Sequence, residues 1–401
     1  MDLTVERRDL RDAVRTLIAR SSLAQTGADR SPWRGLSGEI GVAGLAIPER
    51  YGGAGAGLAE VCVVMEELGR NLTPSPMLGS AVLAAQAVLA SGDDAACRRL
   101  LPAIADGSSI AALAWTTATG HWDAAEVGCE ARPVGVGVGV GGAAGGGAGG
   151  GWELQGEAHY VLDGEAADVL LVAASTPDGT GLFEVCPGQD GVARAAVATM
   201  DATRGLAVVR LTGAAGRRIG RDAAGPLAFA CGQACIALGA EQVGAAEGAL
   251  GLTVGHLLTR VQFGQVIGGF QALQHRAADL YVLVESARSL ARAAALAADE
   301  APGAAGPGSD PTPDRHPTPD RHPTPDRHPT PDPGQRAAAV KVYCSEALTQ
   351  TASEMIQLHG AIGVTWEHRA HRYLKRAHSG RYLFGSPDRH LAAIAASLID
   401  R

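Results

Sequence analysis

The stretch LAFACGQACIALGAEQVGAAEGALGLTVGHLLTR, residues 227–260, decides how the rest of the chain is read. It is small and apolar throughout and contains no proline, a length and composition that suit one long, closely packed helix. Two further helical patterns follow it, FQALQHRAADLYVLVESARSLARAAALAADE (270–300) and QRAAAVKVYCSEALTQTASEMIQLHG (335–360). Upstream the character changes. From about 113 to 222 the apolar runs are short, β-branched and bounded by turns, as in HYVLDG (159–164), DVLLVAAS (168–175) and LAVVRLTG (206–213), and they read as strands. Helical periodicity returns toward the start in LRDAVRTLIA (10–19), LAEVCVVMEELG (58–69) and GSAVLAAQAVLA (79–90), with PERYGGAGAG (48–57) as a loop. The expected plan is α+β and multidomain: a helical domain at 1–112, a β domain at 113–222 and a helical domain at 223–401.

Two low-complexity segments interrupt this plan. The glycine run at 135–151 is expected to be a surface excursion, because ordering it forfeits much backbone entropy for little burial. The proline-rich tract at 301–334, with three PTPDRH hexads, excludes helix and favours an extended, solvated chain.

Composition narrows the function. At 401 residues and a net charge of −8, the chain offers no basic stripe to displace counterions from nucleic acid. No leader and no apolar run long enough to span a bilayer is legible, so a cytoplasmic protein is expected. Seven scattered cysteines read as reduced thiols, and Cys231 and Cys235, one helical turn apart, lack a second ligand pair for a metal.

Four motifs carry a resemblance: PERYGG (48–53), RVQFG (260–264), FQALQHRAADL (270–280) and QLHGAIG (357–363). Together and in this order, the chain resembles the acyl-CoA dehydrogenase family over nearly its whole length. The resemblance implies a middle antiparallel β-barrel, a C-terminal four-helix bundle and FAD held between them. It implies α,β-desaturation of an acyl-CoA thioester, with electrons passed to an electron-transfer flavoprotein. It also implies a homodimer or tetramer, or a heterotetramer with a second dehydrogenase subunit. Matched to the family's flavin motifs, Arg260, Phe263, Gln271, Gln357 and Gly360 are the expected FAD contacts, with Thr116 and Tyr160 from the β domain. Arginine suits this task, since a planar, permanently charged fork matches phosphate oxygens. Two departures are visible: Trp122 stands where the family has a small residue, and Leu162 replaces a hydroxyl-bearing threonine.

The chemistry requires a carboxylate base placed against the α-carbon, its pKa raised by desolvation. The family's usual glutamate position is Phe384, in RYLFGSPDRH (381–390), and the second position used by some members falls at Ala234. Neither can take a proton. Glu241, two turns beyond Ala234 on the same helix face, is the candidate substitute, with a structural or solvent-exposed role as the alternatives. Glu367 and Asp388 are weaker candidates. A third route is a partner chain that supplies the base, which makes this chain a non-catalytic subunit; a fourth reading keeps the flavin and uses oxygen as acceptor.

Overall fold

The computed structural model describes residues 4–20, 31–124, 126–134, 151–300 and 332–399. Most of both low-complexity segments lies outside these residues. The helices are α1 (Val5–Arg20), α2 (Ser31–Gly35), α3 (Leu58–Asn71), α4 (Ala85–Ala90), α5 (Asp94–Ala105), α6 (Ala224–Thr259), α7 (Gln271–Asp299), α8 (Pro333–His359), α9 (Ala370–Tyr382) and α10 (Pro387–Ile399). Between α5 and α6 lie β1 (Ala111–Ala114), β2 (Cys129–Pro133), β3 (Trp152–Leu162), β4 (Val169–Thr176), β5 (Gly179–Val185), β6 (Val192–Ala196) and β7 (Leu206–Ile219). A small hairpin, β8 (Val261–Gln262) and β9 (Gln265–Val266), joins α6 to α7.

Local chemistry sets several of these ends. Asp93 caps α5 by accepting from the Ala96 N–H at 3.0 Å, and it also accepts from Gly220 N–H at 3.1 Å, tying the helix to the end of β7. Asp332 and Gln335 form a reciprocal capping box at the start of α8, with Pro333 in its first turn.

Strands β4, β2, β3, β7 and β5 close into a ring through the β4–β5 pairing, while β1 adds to β4 and β6 to β7. The sheet is mixed rather than antiparallel, because both β1 and β2 run parallel to β4. Parallel neighbours need a long crossover, and here β3 intervenes in the chain before β4. Ala158, Leu154, Phe183, Val172 and Leu211 fill the barrel's own core.

Among the described residues the C-terminal part holds three long helices, α6, α7 and α8, and two shorter ones, α9 and α10. A second, larger core runs from the N-terminal helices through the inner face of α6 and includes Phe384. Helices α3 and α6 pass so closely that a Cβ on Gly69 would collide with the Glu241 carbonyl, and one on Gly244 with the Glu66 carbonyl. That approach fixes Glu241 against the junction of helices and barrel. Among the described residues no helix is long and apolar enough to cross a membrane.

Candidate functional site

The expected site residues fall in two places. Helix α9, thirteen residues long, runs between the second place and Phe384 of the first, with Arg376 on it joining the first.

The first place is the junction of barrel and helices. Phe384 follows α9 in a left-handed conformation (φ 58°), with Gly385 at φ 102°. Its carbonyl accepts from His390 Nε2 at 2.9 Å. The ring is buried and meets Trp122 edge-on at 5.1 Å; Trp122 in turn meets Trp115 edge-on at 5.2 Å. The position expected for a base therefore belongs to an aromatic trio with Trp122 at its centre. Ala234 is fully buried on α6. Thr116 is buried where its carbonyl accepts from His159 N–H at 2.8 Å. Tyr160 sits at a bulge in β3 (φ 54°), and its hydroxyl donates to the Ala118 carbonyl at 3.2 Å.

Glu241 is buried here in a cluster of ion pairs. Arg204 Nη2 reaches both carboxylate oxygens at 2.7 Å, and Arg376 Nη1 bonds the same carboxylate. Arg376 Nε also pairs with Asp201 at 2.8 Å, and Asp201 accepts from the Thr203 N–H at 3.0 Å. Burial pushes the Glu241 carboxyl up, but the two guanidiniums outweigh it and hold the group below its ordinary range. This reverses the raised pKa expected of a desolvated base. Asp201 is held low in the same way, by Arg376, Thr203 and Arg204 against burial. Two arginines and two carboxylates close a neutral set. The residues Asp201, Thr203, Arg204 and Arg376 were not expected as part of any site; a run such as DATR (201–204) carries no pattern that marks it.

Of the weaker candidates, Glu367 is exposed, and its carboxyl is lowered by bonds to its own backbone and to Thr365. Asp388 is exposed in the first turn of α10. Cys231 and Cys235 are free thiols pushed up by burial, Cys235 to about 11, and among the described residues no group of three or more His, Cys, Asp or Glu is placed to hold a metal.

The second place is the far end of the C-terminal helices. Arg260 is the residue on which α6 ends, its N–H bonding the His256 carbonyl at 2.9 Å, and Gln271 opens α7. Phe263, at the tip of the β8–β9 hairpin, is left-handed (φ 53°) and 91% exposed, with Phe270 edge-on at 6.1 Å. Gln357 and Gly360 lie where α8 ends, both exposed. The ends of α6 and α8 meet through His256 stacked on His359 at 4.4 Å, with His368 at 4.5 Å beyond. His359 is buried and its Nδ1 lies 2.7 Å from the Met355 carbonyl, so it packs. Burial and the neighbouring imidazole both lower the His256 and His368 pKa. Among the described residues the Arg260 guanidinium and the Gln271 and Gln357 carboxamides have no hydrogen-bond or ion-pair partner. Leu258, Val261, Val364 and Trp366 expose apolar surface around them.

An unpaired guanidinium with two carboxamides fits the anionic and adenosine parts of a dinucleotide, provided a second surface closes over them. The barrel side fits its flat ring less well, since Tyr160 and Trp122 are already packed against their own chain.

Comparison with known proteins agrees in extent with this layout. The family description "Acyl-CoA dehydrogenase, N-terminal domain" matches residues 4–108, and "Acyl-CoA dehydrogenase, C-terminal domain" matches 231–309 and 323–399. The chain is 35% identical to the acyl-CoA dehydrogenase IpdE2 of Mycobacterium tuberculosis, over 95% of this chain and 94% of that one. Among solved structures, a variant of the steroid ACAD Tcur3481-Tcur3483 is 28% identical with a TM-score of 0.78, covering 98% of each chain. The ChsE4-ChsE5 complex from Mycobacterium tuberculosis is 27% identical with a TM-score of 0.81, covering all of both chains.

Proposed function

This chain belongs to the acyl-CoA dehydrogenase family, flavoprotein oxidoreductases that act on acyl-CoA, and we propose that within it the chain is a subunit of a hetero-oligomeric enzyme whose base comes from a partner. One observation carries the reading: Phe384 and Ala234 fill both positions for a base, and the buried carboxylate on the same helix as Ala234, Glu241, is neutralised by Arg204 and Arg376. A carboxylate held ionised by two buried guanidiniums is a poor proton acceptor, because protonating it strands their charge.

In this reading Arg260, Gln271 and Gln357 hold the phosphate and adenosine parts of FAD at the interface with the facing chain, and Phe263 inserts beside them. FAD, when bound, accepts the hydride released from the substrate's β-carbon. The residues of this chain bind and orient; proton abstraction falls to the other subunit. The similarity to a steroid ACAD and to a two-chain complex supports a bulky, steroid-derived or branched acyl-CoA as substrate; in this reading an electron-transfer flavoprotein takes the electrons.

Glu241→Gln in the assembled enzyme tests the assignment. Flavin reduction by acyl-CoA is expected to stay within about threefold for molecules that remain folded, as monitored by melting. A loss of ~10²-fold or more in folded enzyme, the scale of a missing general base, assigns the base to Glu241 and overturns the proposal.

A further inference from the structure

A third charged region lies away from both places described above. The end of β7 carries Arg217 and Arg218 and the turn into α6 carries Arg221, and together with Arg99 of α5 and Trp152 of β3 they line one groove. The acids in this groove are engaged. Asp93 is spent on the Ala96 and Gly220 N–H groups, Asp222 on those of Ala224 and Gly225, and Glu184 on Arg99 at 2.6 Å. Two of the arginines are without a counter-charge in contact. Among the described residues the Arg217 and Arg221 guanidiniums have no hydrogen-bond or ion-pair partner.

Arg218 is fixed between them. Its guanidinium lies 5.2 Å over the Trp152 ring, Nη2 donates to the Arg221 carbonyl at 2.6 Å, and Nε is buried without a partner. Trp152 is itself held by Phe183 at 5.2 Å. The result is one arginine fixed on an apolar wall and flanked by two exposed ones without an ion-pair partner among the described residues, with Asp93 and Asp222 in the same groove turned to backbone N–H groups.

We propose that this groove binds the phosphorylated head of a nucleotide. Planar guanidinium forks match phosphate oxygens in pairs, and three of them within five residues suit a diphosphate or bisphosphate better than a single carboxylate. The Trp152 indole offers the ribose or base an apolar surface. A nucleic acid or a membrane would need a longer row of cations than this one turn supplies. The same chemistry is carried by the head of coenzyme A and by free nucleotides.

Calorimetric titration of the full chain with ADP, adenosine 3′,5′-bisphosphate and inorganic pyrophosphate tests the site. Saturable binding is expected, weakened by salt and weakened at least about tenfold in Arg217→Ala/Arg221→Ala at unchanged melting temperature. Arg217→Lys/Arg221→Lys keeps the charge and should retain more of the affinity than the alanine pair. Arg260→Ala should keep the binding step that Arg217→Ala/Arg221→Ala removes, which separates this groove from the expected flavin contacts. Preference for adenosine 3′,5′-bisphosphate over ADP identifies the coenzyme A head as the ligand; the reverse preference identifies a free nucleotide. Absence of saturable binding at millimolar ligand, or affinity lost in Arg260→Ala and kept in Arg217→Ala/Arg221→Ala, overturns the proposal.

Discussion

The junction around Glu241 and the exposed end around Arg260 use the same kinds of residue to opposite effect. At the junction every charge has a counter-charge in its own chain: Arg204 and Arg376 close on Glu241 and Asp201, and Phe384 closes on Trp122. At the far end Arg260, Gln271 and Gln357 are left without partners among the described residues, with Phe263 beside them 91% exposed. Buried groups that satisfy each other hold a fold together. Exposed donors that satisfy nothing are available to a ligand or another chain. The contrast separates stability from function more sharply than the nature of the side chains does.

The largest effect is expected at the junction. Arg376→Met removes one partner of a buried set and should cost about 3–5 kcal/mol, since it strands the charge on Glu241 and Asp201; urea melts check it, and a cost below about 1 kcal/mol breaks the comparison. The same network predicts the sign of a pH effect. Glu241 and Asp201 are both held below their ordinary values of 4.5 and 3.8. Their contribution is therefore full above those values and is lost as pH falls through the depressed native ones. Arg376→Met should flatten that acid limb when melts are compared between neutral and acidic buffer.

Gly244→Ala comes next, at about 1–3 kcal/mol or more, because the added methyl forces α6 away from the Glu66 carbonyl of α3. At the exposed end the ranking inverts. Arg260→Ala should leave the melting temperature of the chain unchanged while weakening flavin retention by the assembled enzyme about tenfold or more, read from the flavin-to-protein ratio after dialysis. Smallest of all is Arg98→Ala, which removes an exposed pair with Asp94 one helical turn away and should change stability by no more than about 0.5 kcal/mol.

The helix–strand–helix order was legible because apolar spacing is local: LAEVCVVMEELG (58–69) and DVLLVAAS (168–175) each carry their own period. That Phe384 stands at the position expected for a base was legible too, since it is read directly from its motif. What could not be read is non-local. That β1 and β2 lie parallel to β4 depends on how the chain crosses the barrel, which no single strand encodes. The ion network joins Asp201 to Arg376, 175 positions apart, through a salt bridge that leaves no spacing signal. For the same reason Glu241, in a small and apolar helix, looked like a desolvated carboxyl until its two arginines were placed beside it.

The most direct measurement is the visible spectrum of the purified chain, loaded with FAD and mixed anaerobically with a steroid-derived acyl-CoA, alone and after addition of a partner subunit that carries the glutamate. The flavin band should persist with this chain alone and bleach once the partner is present. Bleaching by the chain alone would place a working base within it and contradict the reading of Phe384, Ala234 and Glu241 given above.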